Sequence, residues 1–288
     1  MTMIRPDLHT HSTFSDGVLS PSLLVEKAVS MGVTVMAVTD HDTFEGCDIL
    51  QGMNTSIPVI PGVELSLRDM PGLHLLGYGL TAAPTLRGRV AELAQMRVGR
   101  AEAMVRRLRD MGISLDWARM TAACRGTVGR AHVARALVAE GHVATMQEAF
   151  ERYLGEGKPA YVPGERMSMA EALPLLRGEG FVPVLAHPAL LNKDDMTLRQ
   201  LLETWVDRGL MGVEVYHPSQ AGREAALERM ARSMGLLVTG GSDYHQDGDS
   251  HGQMGATAEG WLHAAEDMAA LWNALREGEE IFSGRYEK

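Results

Sequence analysis

The chain has 288 residues, 45% of them hydrophobic, which is enough to bury a large core in one elaborated domain or in a domain with an insertion. Its formal net charge of −10 argues against indiscriminate nucleic-acid binding. The two cysteines, Cys47 and Cys124, form no Cys-x-x-Cys pair, which argues against a disulfide scaffold and against a thiolate zinc site.

Short apolar runs alternate with helical segments along the first part of the chain. A helix is predicted over Pro21 to Met31, with Ser20 as its N-cap and Gly32 as its stop. After Gly79 the strand signal ends, and strands resume only at Phe181. Strands are predicted near Ile4, Val35, Val59, Leu75, Val184, Val213 and Val238.

The segment between the fourth and fifth predicted strands is helical and basic. Helices are predicted over Leu86 to Met111, Arg130 to Glu140, Met146 to Leu154 and Ser168 to Arg177. Residues 81–165 carry 13 Lys and Arg against 9 Asp and Glu, a net charge of +4, which leaves −14 for the rest of the chain. We therefore predict a β/α scaffold of residues 1–80 and 166–288, interrupted by a mainly helical insertion of residues 81–165.

Metal-ligating side chains recur at the ends of the apolar runs. His9 and His11 are two residues apart, so on an extended segment they point the same way and can bind one ion together. In a parallel α/β sheet or barrel all carboxyl ends lie on one face, so such side chains are expected to converge there. The later runs carry His41, Glu64, His74, His187, Asp243 and His245.

The motifs that contain these side chains follow one another in a distinctive order. They are Asp7-Leu8-His9-Thr10-His11-Ser12, Asp16-Gly17, Thr39-Asp40-His41-Asp42, Gly62-Val63-Glu64, His74-Leu75-Leu76-Gly77-Tyr78, Ala186-His187-Pro188 and Ser242-Asp243-Tyr244-His245. This series resembles the polymerase and histidinol phosphatase (PHP) superfamily of phosphoesterases, and the resemblance spans nearly the whole chain. It implies an α/β fold, a distorted seven-stranded (β/α)7 barrel, with a site for two or three metal ions.

The resemblance also implies how nine residues share the ions. His9 and His11 would bind a first ion with Glu64 and Asp243; Glu64 would bridge to a second ion held by His74 and His187; Asp16, His41 and His245 would bind a third. Histidine and carboxylate ligands suit Mn²⁺, Zn²⁺ or Fe²⁺. We expect Mn²⁺, with Zn²⁺ or Fe²⁺ as alternatives. His142, His251 and His263 have no such context and are expected to be structural or solvent-facing.

Clustered divalent ions suit the hydrolysis of a phosphomonoester. They neutralise the dianion and acidify a bound water, so that a metal-activated hydroxide can attack phosphorus. No Gly-x-Ser-x-Gly elbow suggests a serine nucleophile. Asp40, His217 and metal-bound water are candidate proton donors to the leaving group. Asp40 could instead orient a histidine ligand, and His217 could be a residue of the rim.

The basic insertion is expected to select the substrate. Arg97 and Arg100 share a helix face, and a guanidinium matches phosphate oxygens, although a solvated charged face would give the same pattern. Arg130 and His132 lie at a helix start, where backbone N–H groups favour anions, and Lys158 lies beside glycines. These stretches resemble the PHP subgroup that hydrolyses the 3′-phosphate of nucleoside 3′,5′-bisphosphates, which has relatives that trim RNA from its 5′ end.

These features predict a metal-dependent phosphatase for nucleotides such as 3′-phosphoadenosine 5′-phosphate. Three alternatives stay open: a 5′-3′ exonuclease on short RNA, a histidinol phosphatase and a non-catalytic, metal-stabilised PHP binding module. No apolar run reaches membrane-spanning length and the N-terminus has no signal-peptide pattern, so we expect a cytoplasmic location. The expected partner is a small nucleotide or short RNA, with no membrane and no protein partner inferred.

Overall fold

Seven strands form a single sheet in which each strand pairs with its neighbour in chain order. The computed structural model describes residues 4–122, 126–248 and 252–286, so Cys124 and His251 lie outside the described residues. The strands are β1 (Pro6–Asp7), β2 (Val35–Val38), β3 (Val59–Ser66), β4 (His74–Tyr78), β5 (Val182–Leu185), β6 (Gly212–Tyr216) and β7 (Leu237–Gly240). The predicted number of strands is confirmed, although the first begins after Ile4.

The sheet curls into a nearly closed barrel. The backbone N–H of Leu8, just after β1, donates to the carbonyl of Gly240 in β7 at 3.0 Å, and Thr10 forms a parallel bridge with Tyr244. Strands β1 to β3 run parallel to one another, as do β5 to β7. The expected α/β barrel is therefore confirmed.

One strand runs against the others, and it carries a site residue. β4 is antiparallel to both β3 and β5, and His74 is its first residue. The expectation that the ligands all follow the carboxyl ends of parallel strands is therefore wrong for His74. Because β4 is reversed, its amino end reaches the rim where β3 ends, and Ser66 pairs with His74 there.

Helices pack around the barrel and form the insertion. They are α1 (Pro21–Ser30), α2 (Glu45–Gln51), α3 (Pro84–Asp110), α4 (Trp117–Ala122), α5 (Arg130–Ala139), α6 (Met146–Ala149), α7 (Met169–Gly178), α8 (Asp195–Val206), α9 (Glu224–Ser233) and α10 (Ala264–Tyr286). Ser20 caps α1 as predicted, since its hydroxyl accepts from the Leu23 N–H, and Gly32 follows with a φ of 76°. Within the described ranges, none of the helices is long and apolar enough to cross a membrane.

The segment predicted as one helix over Met146 to Leu154 changes type at its middle. After α6 the chain continues as a π-helical turn over Phe150–Leu154, closed by the Gly155 N–H donating to the Phe150 carbonyl at 2.7 Å. A π turn accommodates one extra residue, and such turns are frequent at functional sites. Phe150 lies at its first position.

The long helix α3 joins two hydrophobic clusters. Leu86 and Val90 in its first half pack in the barrel core. Met104 and Leu108 in its second half are fully buried in a separate cluster with residues of α5 such as Leu137. Burying a side chain of this size contributes about 1.5–3 kcal/mol. The separate cluster supports the predicted division of the chain, whose boundaries at residues 81 and 165 stay a prediction.

Candidate functional site

Glu64, at the end region of β3, lies among imidazoles at the barrel rim. Its Oε2 atom is 3.3 Å from Nε2 of His9 and 3.3 Å from Nε2 of His11, and its Oε1 atom is 2.7 Å from Nδ1 of His74. Asp243 Oδ1 is 3.0 Å from His11 Nε2 and 3.4 Å from His9 Nε2. One ligand atom from each of His9, His11, Glu64 and Asp243 lies within 4.8 Å of the others, a spacing that a single metal ion can span.

Three further groups of potential ligands share members with this one. His187 joins them through Nε2, which is 3.0 Å from Glu64 Oε1 and 3.3 Å from His74 Nδ1. The structure thus brings together all nine residues expected to hold metal. The three further groups are His41, Glu64 and His74; His11, Asp16, His41 and His245; and His9, Glu214 and His217. His41 belongs to the first two of them, whereas the resemblance implied that it serves one ion.

Several buried atoms of this cluster have no hydrogen-bond partner among the residues that the structure describes. An unpaired buried polar atom costs about 1–3 kcal/mol, and such atoms in a native site call for an unseen partner. Imidazole nitrogens and carboxylate oxygens facing one another fit a divalent cation, which accepts their lone pairs. The atoms are Nε2 of His9, Nε2 of His11, Oδ1 of Asp16, Nδ1 of His41 and Oε2 of Glu64.

The acids and imidazoles shift one another's pKa. Burial would by itself lower the pKa of His9, but the carboxylates of Glu214, Glu64 and Asp243 raise it well above its ordinary value. Burial also opposes the charge of His11, yet the nearby carboxylates of Asp243 and Glu64 raise its pKa to about 10. Although burial disfavours ionised Glu64, the surrounding imidazoles hold its pKa well below the usual range. The carboxylate is therefore ionised at neutral pH, as a metal ligand must be, and a bound cation would displace the protons of His9 and His11.

Glu214 of β6 is a buried acid that the sequence interpretation missed as a site residue. Its Oε1 accepts from Nδ1 of His9 at 3.0 Å, and its Oε2 accepts from the backbone N–H of His187 at 2.8 Å. A carboxylate on Nδ1 fixes the tautomer of a histidine and leaves Nε2 available to a metal. The only sequence signal was an acid inside an otherwise apolar strand.

The two candidate proton donors lie behind the ligands. Asp40 accepts from the Ser12 N–H at 2.7 Å and from the Ser15 hydroxyl at 2.6 Å, and that hydroxyl lies 3.3 Å from His11 Nδ1. His217 presents Nε2 to Asp243 Oδ2 at 3.5 Å. Two cavities lie next to the potential metal ligands. Neither Asp40 nor His217 is among the described residues that line them.

Strained backbone presents several of these side chains. Outside glycine, a left-handed φ costs on the order of 1–3 kcal/mol and tends to occur at functional sites. Asp42, His187 and Asp243 have φ of 50°, 27° and 54°. Gly241 allows the approach of β7 to β1, because a Cβ added there would lie 2.3 Å from that of His9. The backbone of the barrel rim is thus shaped to present these side chains.

A cavity of about 200 Å³ adjoins the ligands and is lined by cationic side chains. Asp16, His41 and His74 form part of its wall. The cationic residues are Arg97, Arg100, Arg130 and Arg166, and the imidazole of His132 lines the same cavity. All of these residues except Arg166 were predicted; Arg166 was missed because it lies one residue beyond the predicted insertion. Lys158 is exposed and is not among the described lining residues, so the structure does not bring it to the cavity.

The arginines of this cavity repel one another. Burial and then the charge of Arg166 lower the pKa of Arg97 to about 10, and burial and then Arg130 lower that of Arg100 to about 10. Arg97 pairs with the buried carboxylate of Asp42. Like charges gathered in this way are stabilised by an anion, and guanidinium groups match phosphate oxygens.

Contacts from loops and ring faces hold these arginines in place. The Arg100 Nε–H donates to the Val162 carbonyl at 2.6 Å, and a Cβ on Gly164 would lie 2.8 Å from the Arg100 side chain. The Arg130 guanidinium lies 5.2 Å from the centre of the Phe150 ring. At the start of α5, Nδ1 of His132 accepts from the Gly129 N–H at 3.2 Å. These contacts therefore orient Arg100, Arg130 and His132.

Comparison with known proteins shows to which family a chain with this arrangement of residues belongs. The model of the PHP domain matches residues 7–161, more than half of the chain. The chain belongs to the PHP family. It is 34% identical over 248 residues to the 5′-3′ exoribonuclease Rnm of Salmonella typhimurium, covering 83% of this chain and 85% of that protein. It is 32% identical over 273 residues to the 3′,5′-nucleoside bisphosphate phosphatase of Chromobacterium violaceum, covering 89% and 93%.

The fold of this PHP protein also matches a solved structure. A protein of Bifidobacterium adolescentis, described as a metal-dependent phosphoesterase, superposes with a TM-score of 0.75 at 29% sequence identity. The match covers 90% of this chain and 95% of that one. The PHP chain is accordingly a metal-dependent phosphoric ester hydrolase, which confirms the predicted class of enzyme.

Proposed function

We propose that this PHP protein removes the 3′-phosphate from nucleoside 3′,5′-bisphosphates such as 3′-phosphoadenosine 5′-phosphate. One observation carries the proposal. The cavity lined by Arg97, Arg100, Arg130 and Arg166 shares a wall with the potential ligands Asp16 and His41. A substrate with two phosphates can fill both places, one at the ligands and one among the arginines.

In this proposal the barrel rim performs the hydrolysis. The nine rim residues hold two or three divalent ions, Mn²⁺ in the first place and Zn²⁺ or Fe²⁺ as alternatives. Such ions neutralise the phosphate and acidify a water molecule. Glu214 and Asp40 keep His9 and His11 oriented, the latter through the Ser15 hydroxyl. We assign His217 to positioning Asp243, since its Nε2 faces that carboxylate.

The basic cavity selects the substrate. Four guanidinium groups and His132 form a site for the 5′-phosphate. A cationic amino alcohol such as histidinol phosphate would meet repulsion there, which disfavours histidinol phosphatase activity. A complete ligand set disfavours the non-catalytic binding module. We further propose that the enzyme works in the cytoplasm on free nucleotides.

A second candidate is 5′-3′ exonuclease activity on short RNA. The similarity to an exoribonuclease of Salmonella typhimurium, at 34% identity, favours it. The substrates of both reactions carry a 5′-phosphate and a 3′-linked phosphate on the same nucleotide. They differ only in whether the second phosphate carries a further nucleoside.

A comparison of substrates tests the proposal. Purified protein with Mn²⁺ is given adenosine 3′,5′-bisphosphate, 5′-AMP, histidinol phosphate and a short 5′-phosphorylated RNA at equal concentrations. We expect inorganic phosphate from the bisphosphate far faster than from 5′-AMP or histidinol phosphate. Equal rates on the bisphosphate and 5′-AMP would show that the arginine cavity selects nothing, and the proposal would fail.

A further inference from the structure

Asp7 is a buried acid that belongs to none of the groups of potential metal ligands among the described residues. It is the last residue of β1, and the potential ligand His9 follows it two positions later. A carboxyl group loses its hydration when it is buried, so it stays in such a place only with strong hydrogen-bond partners. The partners of Asp7 therefore show what it does in the structure.

Three donors from the segment that follows β7 converge on the Asp7 carboxylate. Its Oδ1 accepts from the backbone N–H of Ser242 at 2.9 Å, and its Oδ2 accepts from the Ser242 hydroxyl at 2.7 Å. Oδ2 also accepts from the backbone N–H of Gly255 at 2.8 Å. Leaving a buried polar group without its partner is costly, so these contacts fix the position of Ser242 against the end of β1.

Ser242 immediately precedes the potential ligand Asp243, whose backbone is left-handed with a φ of 54°. Such a conformation persists only where the surroundings impose it. The Ser242 carbonyl accepts from the Gly252 N–H at 2.9 Å, and the Asp243 N–H donates to the His9 carbonyl at 2.8 Å. Together with the two bonds from Ser242 to Asp7, these contacts fix the peptide from which the Asp243 carboxylate extends.

Asp7 acts across the seam where β1 meets β7. There, Nε2 of His9 is 3.4 Å from Oδ1 of Asp243, and Nε2 of His11 is 3.0 Å from the same oxygen. Ligand distances in metal sites vary by only about 0.2 Å, so a small shift of the segment after β7 would spoil the geometry for an ion. His9 and His11 belong to the same segment as Asp7, whereas Asp243 follows the last strand of the sheet. The bonds between Asp7 and Ser242 join the two segments.

We propose that Asp7 is a positioning residue for the metal site: through Ser242 it holds the carboxylate of Asp243 in place, and so sets the affinity of the rim for a divalent ion. This inference rests on the part of the proposed function in which Asp243 shares an ion with the histidines of the rim. Asp7 differs from Glu214, which binds the ring of a histidine ligand. Asp7 acts on the backbone that carries a carboxylate ligand.

Asp7→Asn tests the inference because it keeps the size of the side chain. Asparagine can accept from the Ser242 N–H through its remaining oxygen, but its amide nitrogen cannot accept from the Gly255 N–H. The dissociation constant for Mn²⁺ is measured on metal-free protein from the electron paramagnetic resonance signal of free Mn²⁺. Losing an outer partner of a metal ligand typically weakens metal binding about 10- to 100-fold, so we expect the constant to rise roughly tenfold or more.

Asp267→Asn is the matched control. Asp267 is buried as Asp7 is, but it pairs with Arg232 at 2.9 Å and accepts from the Trp261 indole N–H at 2.8 Å. It belongs to none of the groups of potential ligands in the described parts of the chain. Both variants should lower the temperature of unfolding measured in EDTA, whereas Asp267→Asn should leave the Mn²⁺ constant within about twofold of the wild-type value.

Ser242→Ala is a milder second variant for the case in which Asp7→Asn does not fold. It removes only the hydroxyl that donates to Asp7 Oδ2 and keeps the backbone N–H that donates to Oδ1. Because one hydrogen bond to Asp7 is lost and the others remain, we expect the Mn²⁺ constant to rise about threefold or more.

The outcomes separate this inference from the function on which it rests. Wild-type Mn²⁺ constants in Asp7→Asn and Ser242→Ala would overturn the inference, and the proposed phosphatase would still stand on its own substrate test. Equal rises in Asp7→Asn and Asp267→Asn would also overturn it, because the effect would then come from stability alone. If Asp7→Asn weakened Mn²⁺ binding while the wild-type protein released no phosphate from the bisphosphate, the inference would stand and the proposed function would be wrong.

Discussion

The ligand rim of the barrel and the arginine cavity of the insertion adjoin each other, but their charges are arranged in opposite ways. In the rim, buried carboxylates face imidazoles, so that Glu64 and Asp243 keep lowered pKa values among histidines. In the cavity, like charges are gathered, so that burial and mutual repulsion lower the pKa of Arg97 and Arg100. The first arrangement suits a cation and the second suits an anion, and a phosphate ester needs both.

The largest effect is expected at the centre of the rim. Glu64→Gln removes the charge that faces five imidazoles, and we expect hydrolysis to fall on the order of 10³-fold, as when a main electrostatic contact to a transition state is lost. The loss should be equal for the bisphosphate and for p-nitrophenyl phosphate, measured by steady-state kinetics. Glu92→Gln, at an exposed site on α3, is the control. A loss confined to the bisphosphate would contradict the division between rim and cavity.

The second-largest loss of activity is expected for a substitution of Glu214, which lies behind the rim. Glu214→Gln keeps the shape of the side chain but weakens its hold on His9, so we expect roughly 10- to 100-fold lower activity. The Mn²⁺ concentration for half-maximal activity should rise as well, which a titration of metal measures. If that concentration stays at the wild-type value while only thermal stability falls, Glu214 is structural and does not position a ligand.

Substitutions in the arginine cavity should change the binding of the substrate more than its turnover. Arg130→Gln removes one charged hydrogen-bond donor, worth about 1.5–3 kcal/mol, so KM for the bisphosphate should rise roughly tenfold or more. The values for p-nitrophenyl phosphate, which has no second phosphate, should stay the same. Arg106→Gln on α3 is the matched control, because Arg106 is 60% exposed and its nearest acid is Glu102 at 3.9 Å. A similar change in both variants would mean that the effect is one of overall charge.

The smallest effect is expected for Lys158, which the sequence suggested as a substrate contact. Its side chain is exposed and does not line the arginine cavity, so Lys158→Ala should change KM for the bisphosphate by less than about twofold. The same kinetic measurement checks it. A tenfold rise would show that the segment from Gly155 to Tyr161 closes over the substrate.

Much of the fold followed from local signals in the sequence. Ser20 and Gly32 fixed the ends of α1, because capping depends on neighbouring backbone atoms alone. The start of α3 at Pro84 lay two residues before the predicted one, where a proline suits the first turn of a helix. The π-helical turn at Phe150 was missed, since a pattern of apolar residues does not distinguish it from an α-helix.

By itself the sequence determined which side chains stand at the strand ends, and hence the kind of chemistry, because side-chain type and strand position are local properties. Only the tertiary structure decided that reversed β4 brings His74 to the rim and that Glu214 lies behind His9. It also decided which of many arginines, Arg166 among them, face the site. These outcomes depend on the directions of strands and on the packing of segments that are far apart in the chain.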